Sequence, residues 1–506
     1  MSVMRYPSVS VVLCLAGVAA PAAAVRPSLG ALYVHARAAE VAGDVNEANA
    51  GFATLLAADP SNPIVATRAY RQALSGGDMA LALKAAQALA TGPALPSDAR
   101  VLLALAAIKA HDWPRAQASA DALTHDGVFG FLAPYLRAWI AVGSGKGDPL
   151  ALVEPARAIP LASPYFAQQR ALLLVALGRR AEAVGALTPQ AAEGLPATIK
   201  DAEHGLSPLL AQLAADFARQ QYVPVGMIMA RMAAYAAPDY GGAWLVLAEL
   251  LHRMQRQDLA LAAIDHIAAN DPLAGDAHTL RIALLNDSGK HEAALAEAIA
   301  AAKRDHAGSD DWGRVGDLYL MLSKPSEAAA AYAKALGVAE AARAPASVLW
   351  PILLQQGGAL DLAGNWPAAK AAMMRAYALA PNDPAVLNQV GYSEIEHREN
   401  VDKASAMIAE ASRQRPDDPA ITDSLGWVLH LQGKTMQAVP LLERAAAGNP
   451  AEPTINEHLG DVYWTIGRQL EARYAWRAAL ITAEEKDRAR LNAKIEGGLD
   501  KGTAAP

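Results

Sequence analysis

The chain has 506 residues, of which 53% are hydrophobic but only 6% aromatic, and its formal net charge is −7. That length exceeds what a single hydrophobic core serves, so several domains or a repeat array are required. Alanine-rich, aromatic-poor composition points to closely packed helices, and charges of both signs spread along the chain exclude nucleic acid as an expected partner.

At the N-terminus Arg5 precedes an apolar stretch from Val9 to Ala20 and the small-residue run Ala22-Ala23-Ala24. This is the pattern of a secretory signal over residues 1–24, cleaved after Ala24, and it predicts an exported, periplasmic protein. The stretch is shorter than the roughly 20 apolar residues that span a bilayer, and no later segment is uninterrupted enough to do so. No transmembrane segment is therefore expected in the mature chain, which leaves room for peripheral association with the envelope or outer membrane. The one cysteine, Cys14, lies inside the signal after Val11-Val12-Leu13 rather than after the small residues of a lipidation site, so neither disulfide nor thiol nucleophile is expected.

Beyond the signal a 34-residue period governs the chain. Weak units begin near Leu29, Pro63, Ser97 and Phe131, and another near Pro164. Clearer ones begin near Ser207, Gly241, Gly275 and Ser309, and then near Trp350, Pro384, Pro419 and Pro453. About thirteen helix-turn-helix units are predicted. Gly43, Gly77, Gly178, Gly289, Gly364, Gly433 and Gly467 fall where the first helix of a unit must stop, in the left-handed conformation that glycine adopts most cheaply. Pro60, Pro238, Pro272, Pro381, Pro416 and Pro450 fall just past the second helix, which proline cannot continue. Gly316, Gly426 and Gly460 are expected to face Ala328, Ala438 and Ala472, with Trp113, Tyr332, Trp366 and Trp476 as core. Register breaks at Gln190 to Gly205 and Gly337 to Leu349 are read as joints or as irregular helical turns. They divide the array into divergent repeats over 25–196, a middle block over 207–340 and a C-terminal block over 350–482. The charged run from Glu484 to Lys494 predicts a capping helix over 483–499, since a terminal repeat must cover its exposed face. Residues 500–506 are expected to be a disordered tail.

Three units carry most of the pattern W-x2-L-G-x2-Y, A-x3-F, P. The unit from Ser309 supplies Trp312, Val315, Gly316, Tyr319, Ala328, Tyr332 and Ala335, and that from Pro419 supplies Leu425, Gly426, Leu429, Gly433, Ala438, Leu442, Ala445 and Pro450. The unit from Pro453 supplies Leu459, Gly460, Tyr463, Gly467, Ala472, Trp476 and Ala479. On these residues the chain resembles the tetratricopeptide-repeat superfamily, which implies an all-α superhelical solenoid. The C-terminal third, with Asp423-Ser424-Leu425-Gly426-Trp427 and His458-Leu459-Gly460-Asp461, is similar to Gram-negative cell-envelope repeat proteins. These include adaptors of carboxyl-terminal processing proteases that bring cell-wall hydrolases to them.

Catalytic signatures are missing. Gly143-Ser144-Gly145-Lys146-Gly147-Asp148 lacks the Ser or Thr and the glycine spacing of a phosphate loop, and neither H-E-x-x-H nor Gly-x-Ser-x-Gly occurs. His458 and Asp461, one turn apart, have no third ligand and are read as solvated groove residues; Asn286-Asp287-Ser288-Gly289 lacks the remaining calcium ligands. No enzyme, cofactor or metal is expected. The resemblance implies instead that Asn388, Tyr392, Asp423, Trp427, His430, Leu431, Glu457, Asp461, Trp464 and Thr465 line a concave partner-binding groove, with Glu249, Asp317 and Asp361 at equivalent places upstream. Aromatics beside acids are the usual composition of a binding hot spot. The Lys, Asn and Arg set with which the superfamily clamps a C-terminal carboxylate is not present at these positions. The expectation is a non-enzymatic scaffold or adaptor for a protein partner with a basic or amphipathic segment. The alternative is a scaffold of an envelope polysaccharide-export or secretion complex.

Overall fold

The structure, a computed structural model, describes residues 28–90, 92, 95–305, 307–500 and 505. The signal expected at 1–24, and the expected tail apart from Asp500 and Ala505, lie outside the described residues. Every regular element among the described residues is helical. The chain divides into two compact units, one ending at Ala277 and the other beginning at His278.

The first unit contains the pairs α1 (Leu29–Ala42) and α2 (Val45–Ala58), α3 (Pro63–Gly76) and α4 (Met79–Leu89), and α5 (Ser97–Lys109) and α6 (Trp113–Leu123). Next come α7 (Ala133–Ser144) with the single-turn α8 (Pro149–Val153), and α9 (Ser163–Ala176) with the short α10 (Arg180–Gly185) and α11 (Pro189–Glu193). The unit ends with α12 (Ala202–Arg219) and α13 (Val223–Ala236), then α14 (Gly241–Arg253) and α15 (Gln257–Ile264). The second unit is more regular. It comprises α16 (Ala274–Asp287), whose first turn carries the boundary, with α17 (His291–Ala302), then α18 (Ser309–Met321) with α19 (Pro325–Ala341), and α20 (Ala346–Leu362) with α21 (Trp366–Leu379). The pairs α22 (Pro384–Glu396) and α23 (Val401–Gln414), α24 (Pro419–Leu431) and α25 (Thr435–Gly448), and α26 (Pro453–Thr465) and α27 (Gln469–Thr482) follow, with the single α28 (Glu485–Gly497) closing it.

Eight of the thirteen expected unit starts coincide with the first residue of a helix. Local chemistry accounts for this. Asp383 and Asp418 cap α22 and α24 by accepting from the second and third backbone N–H groups, and proline occupies the first helical position. Gly433 and Gly467 end α24 and α26 at φ +78° and +84°. The second register break is absorbed by lengthening α19 and α20 to 17 residues each, because its alanine-rich sequence continues a helix readily. The unit expected from Ser207 begins earlier, at Ala202, and α12 carries Pro208 inside it.

The close approach within each pair has a different partner from the one expected. A Cβ on Gly460 would fall 2.3 Å from Trp476 Nε1, one on Gly316 2.6 Å from the Tyr332 ring, and one on Gly426 2.8 Å from Leu442. Glycine on the first helix thus receives the large residue of the second, rather than its alanine. Tyr332 and Trp476 are buried as expected, whereas Trp113 and Trp366 are only half-buried.

In the first unit α12 packs against α5, α7 and α9, and α13 against α3 and α5. The Trp139 ring occupies the space where Gly205 lacks a side chain, and Trp139 Nε1 donates to Gln169 Oε1 at 2.9 Å. Lys109 Nζ donates to the Ala236 carbonyl at 3.1 Å. A helix pair of the chain itself therefore lies against the first helices of the earlier units.

Candidate partner-binding groove

In the second unit the helices α20, α22, α24 and α26, with α28, surround a groove of about 810 Å³. Residues four apart on a helix share a face, and the groove is built on that spacing. Asn388, Tyr392 and Glu396 come from α22, Asp423 from α24, Glu457 and His458 from α26, and Arg490 from α28, with Asp361 of α20 at the far wall.

The charges are paired in layers. Asp361 accepts from His397 Nε2 at 2.7 Å, and the His397 ring stacks on Trp366 at 4.0 Å. Asp423 accepts from His458 Nδ1 at 2.9 Å, and the His458 ring stacks on Trp427 at 4.0 Å. Glu457 takes a forked pair from Arg490, at 2.9 and 2.8 Å, and a third bond from Lys494 Nζ at 2.6 Å. Lys494 Nζ also reaches both oxygens of Asp461, at 2.7 and 2.8 Å, while Asp461 accepts from Trp476 Nε1 and from the Ala505 N–H, each at 2.8 Å. Lys494 is 0% and Asp461 1% exposed, so this pair is fully desolvated, while Arg490 remains part-exposed.

Proton affinities follow from these neighbours. Burial favours the neutral form of His458, but Asp423, Asp461 and Glu457 outweigh it and raise the imidazole pKa. Burial would lift the Glu457 carboxyl, yet Arg490 and Lys494 hold it below the ordinary range. For Glu396 burial, aided by Asp361, raises the pKa despite the hydrogen bond with Tyr392 and the nearby His458 and His397. Tyr392 is pushed well above its usual value by burial and by Glu396 and Asp423. Two atoms at the groove are buried without a partner, Asn388 Oδ1 and His458 Nε2.

The ten residues expected along the groove separate accordingly. Asn388, Tyr392, Asp423 and Glu457 line one cavity. Trp427 and Asp461 do not present themselves to a ligand; they are 2% and 1% exposed and lie under it. The expectation of an exposed Trp427 is thereby corrected, because the ring is covered by His458. His458 and Asp461 are likewise buried rather than solvated. His430 is half-buried, with its pKa lowered by burial. Leu431 and Thr465 are exposed at the helix ends, Thr465 Oγ1 donating to the Asp461 carbonyl at 2.8 Å. Trp464 packs beneath Arg473, whose guanidinium carbon stands 4.9 Å from the ring centre. Upstream, Asp317 accepts from Tyr332 Oη at 2.5 Å, and burial raises the Glu249 pKa. Sequence reasoning missed Glu396, Arg490 and Lys494. The signal was present for the last two, since Arg490 and Lys494 repeat the four-residue spacing of Glu457 and Asp461.

Among the described residues no group of three or more His, Cys, Asp or Glu side chains is arranged to hold a metal, and no helix is long and apolar enough to cross a membrane.

No family model matches the chain. A tetratricopeptide repeat-containing protein of Pseudomonas aeruginosa is 36% identical over 81 residues, which is 16% of this chain and 14% of that protein. The chain thus matches only about one seventh of that relative's length. Among solved structures, yeast Tom70 is similar at 13% identity over 93% of this chain and 95% of its own, with a TM-score of 0.39. The Cut9–Hcn1 assembly of APC/C is similar at 18% identity over 92% and 89%, with a TM-score of 0.37. A tetratricopeptide repeat protein of Parabacteroides merdae is similar at 15% identity over 50% and 97%, with a TM-score of 0.40.

Proposed function

We propose that this chain, an all-α array of tetratricopeptide repeats, is a non-catalytic protein-binding scaffold whose second unit holds a segment of a partner along the groove between α20 and α28. The observation that carries the reading is the state of the groove's polar atoms. Asn388 Oδ1 and His458 Nε2 are buried without partners, and Glu396 stands in the same groove as Asp361 with its pKa raised by burial. Unmet donors and acceptors of this kind are penalised unless a ligand supplies the missing bonds. A partner segment with a basic side chain would meet Glu396 and Asp361, while its main chain would meet Asn388 and His458. The leader-like sequence of residues 1–24 supports export, and with it a role as an adaptor in the cell envelope that brings clients to a protease or to cell-wall machinery.

The test is affinity capture and crosslinking of tagged protein from the native envelope fraction, read by mass spectrometry beside an Asn388→Ala, Glu396→Lys variant of confirmed fold. Loss of a specific partner with the variant is the expected result. Recovery of the same proteins with both would refute the groove as the binding site. Recovery of the protein only from the cytoplasmic fraction would refute the export reading.

A further inference from the structure

We propose that the Glu457–Asp461 carboxylate pair is the docking site for a partner helix that presents two basic side chains one turn apart, and that α28 holds this site in cis until such a helix replaces it. The inference rests on the scaffold reading and adds to it the chemistry of the partner and its point of entry.

The two helices are matched in spacing. Glu457 and Asp461 stand four residues apart on α26, Arg490 and Lys494 four apart on α28, and four residues of helix rise about 6 Å. Five charge-assisted bonds of 2.6–2.9 Å join them. Apart from these bonds α28 is held by Leu491 and Ile495 in the core of the last repeat, by Arg473 Nε donating to the Ile495 carbonyl at 2.9 Å and by Arg488 donating to the Leu480 carbonyl at 3.2 Å. Of its thirteen residues Leu491 and Lys494 are buried and Asp487, Arg488, Arg490 and Ile495 partly so, while the rest are exposed.

A helix whose ammonium group sits in a dry site is exchangeable in a particular way. The buried carboxylates cannot be left empty, because an uncompensated buried charge is penalised far more heavily than a made pair is rewarded. An apolar or acidic helix therefore cannot take the place of α28. A helix with the same two cations restores every bond that is broken, so the electrostatic terms nearly cancel and the outcome turns on the remaining apolar contacts.

Two further features fit exchange. The connection from α27 is only Ala483 and Glu484, so a displaced α28 stays tethered beside its site. Lys486, Asp487 and Arg490 of α28 form part of the groove wall, so its departure would join the carboxylate pair to the open groove. At the same place the Ala505 N–H donates to Asp461 Oδ2. Tethering gives such a cis occupant a high effective concentration, which sets a threshold for any partner.

The probe is a fluorescein-labelled peptide of residues 484–499 added in trans to the full chain. Anisotropy should show weak binding to the unaltered protein and at least tenfold tighter binding to a Leu491→Ala variant, in which the grip of α28 is loosened and the carboxylates are untouched. The same peptide carrying Arg490→Glu and Lys494→Glu should bind neither. Hydrogen exchange of the unaltered protein gives a readout that needs no variant: saturating peptide should speed exchange of the amides of α28, and the charge-reversed peptide should not. Equal binding of the two peptides, or no gain in a Leu491→Ala protein whose circular dichroism is unchanged, would overturn the proposal. Peptide binding without faster exchange in α28 would also overturn it while leaving the scaffold reading in place. Loss of the scaffold reading itself would be seen separately, in the partner capture with Glu396→Lys.

Discussion

Replacing Lys494 by Met removes a buried ammonium and keeps most of the side chain's volume. Lys494 is 0% exposed and provides two of the four bonds to the Asp461 carboxylate and one of the three to Glu457. Removing one partner of a buried pair typically costs about 3–5 kcal/mol, because the other charge stays behind without compensation. Arg490 still forks onto Glu457, and Asp461 keeps Trp476 Nε1 and the Ala505 N–H, so the loss should fall near about 3 kcal/mol, the low end. The decisive measurement is a double-mutant cycle with Asp461→Asn, which removes the stranded charge and keeps an oxygen for Trp476. The double variant should recover roughly 1–3 kcal/mol relative to additivity. Repeat arrays need not unfold in one step, so the assay should report on the last repeat, through urea-dependent fluorescence of Trp464 and Trp476 or amide exchange in α26–α28. A Lys494→Met loss below about 1 kcal/mol, or strict additivity in the cycle, would refute the view that these charges are coupled in a desolvated cluster.

Glycine positions give a pair of opposite expectations. Gly460→Ala should destabilise by roughly 1–3 kcal/mol, since its Cβ would lie 2.3 Å from Trp476. Gly313→Ala, within α18 and with nothing inside 4 Å, should stabilise by about 0.5–1 kcal/mol through helix propensity; urea midpoints check both. Trp427→Ala should lower stability by about 3–5 kcal/mol, as for any fully buried large aromatic, and loss of binding without loss of melting temperature would contradict its placement under the groove. The pH profile of the second unit follows from two opposite shifts. The raised His458 pKa contributes stability that is complete below its unfolded value near 6.5 and is lost as pH rises through the folded value. The depressed Glu457 pKa contributes above 4.5 and is lost as pH falls through the folded value. Melting temperature should therefore peak in mildly acidic solution, and His458→Gln should remove the decline on the alkaline side of that peak.

How far the site was legible depended on which interactions recur. Asn388, Asp423 and Glu457 occupy the same repeat position, so the register alone brings them to one face. Exposure could not be read in that way. Trp427 and Asp461 stand at equally periodic positions, but whether a residue there faces a ligand depends on what covers it, and the covers are His458, Trp476 and Lys494. Changes at Trp427 and Asp461, both expected to line the groove, would therefore test folding rather than binding.

By itself the sequence determined the repeat length, most of the helix starts and the glycine turns between helices, because caps, left-handed glycines and proline stops act within a few residues of one another. It also determined that the chain is helical throughout its described regular structure and carries no recognisable catalytic set. Only the tertiary structure decided that α12 and α13 pack against the earlier repeats, that Gly460 makes room for Trp476, and that Lys494 neutralises Asp461 from 33 residues away. Those contacts join residues far apart in the chain. Their energies come from desolvation and close packing, which depend on the surroundings each group meets after folding and leave no periodic mark in the sequence.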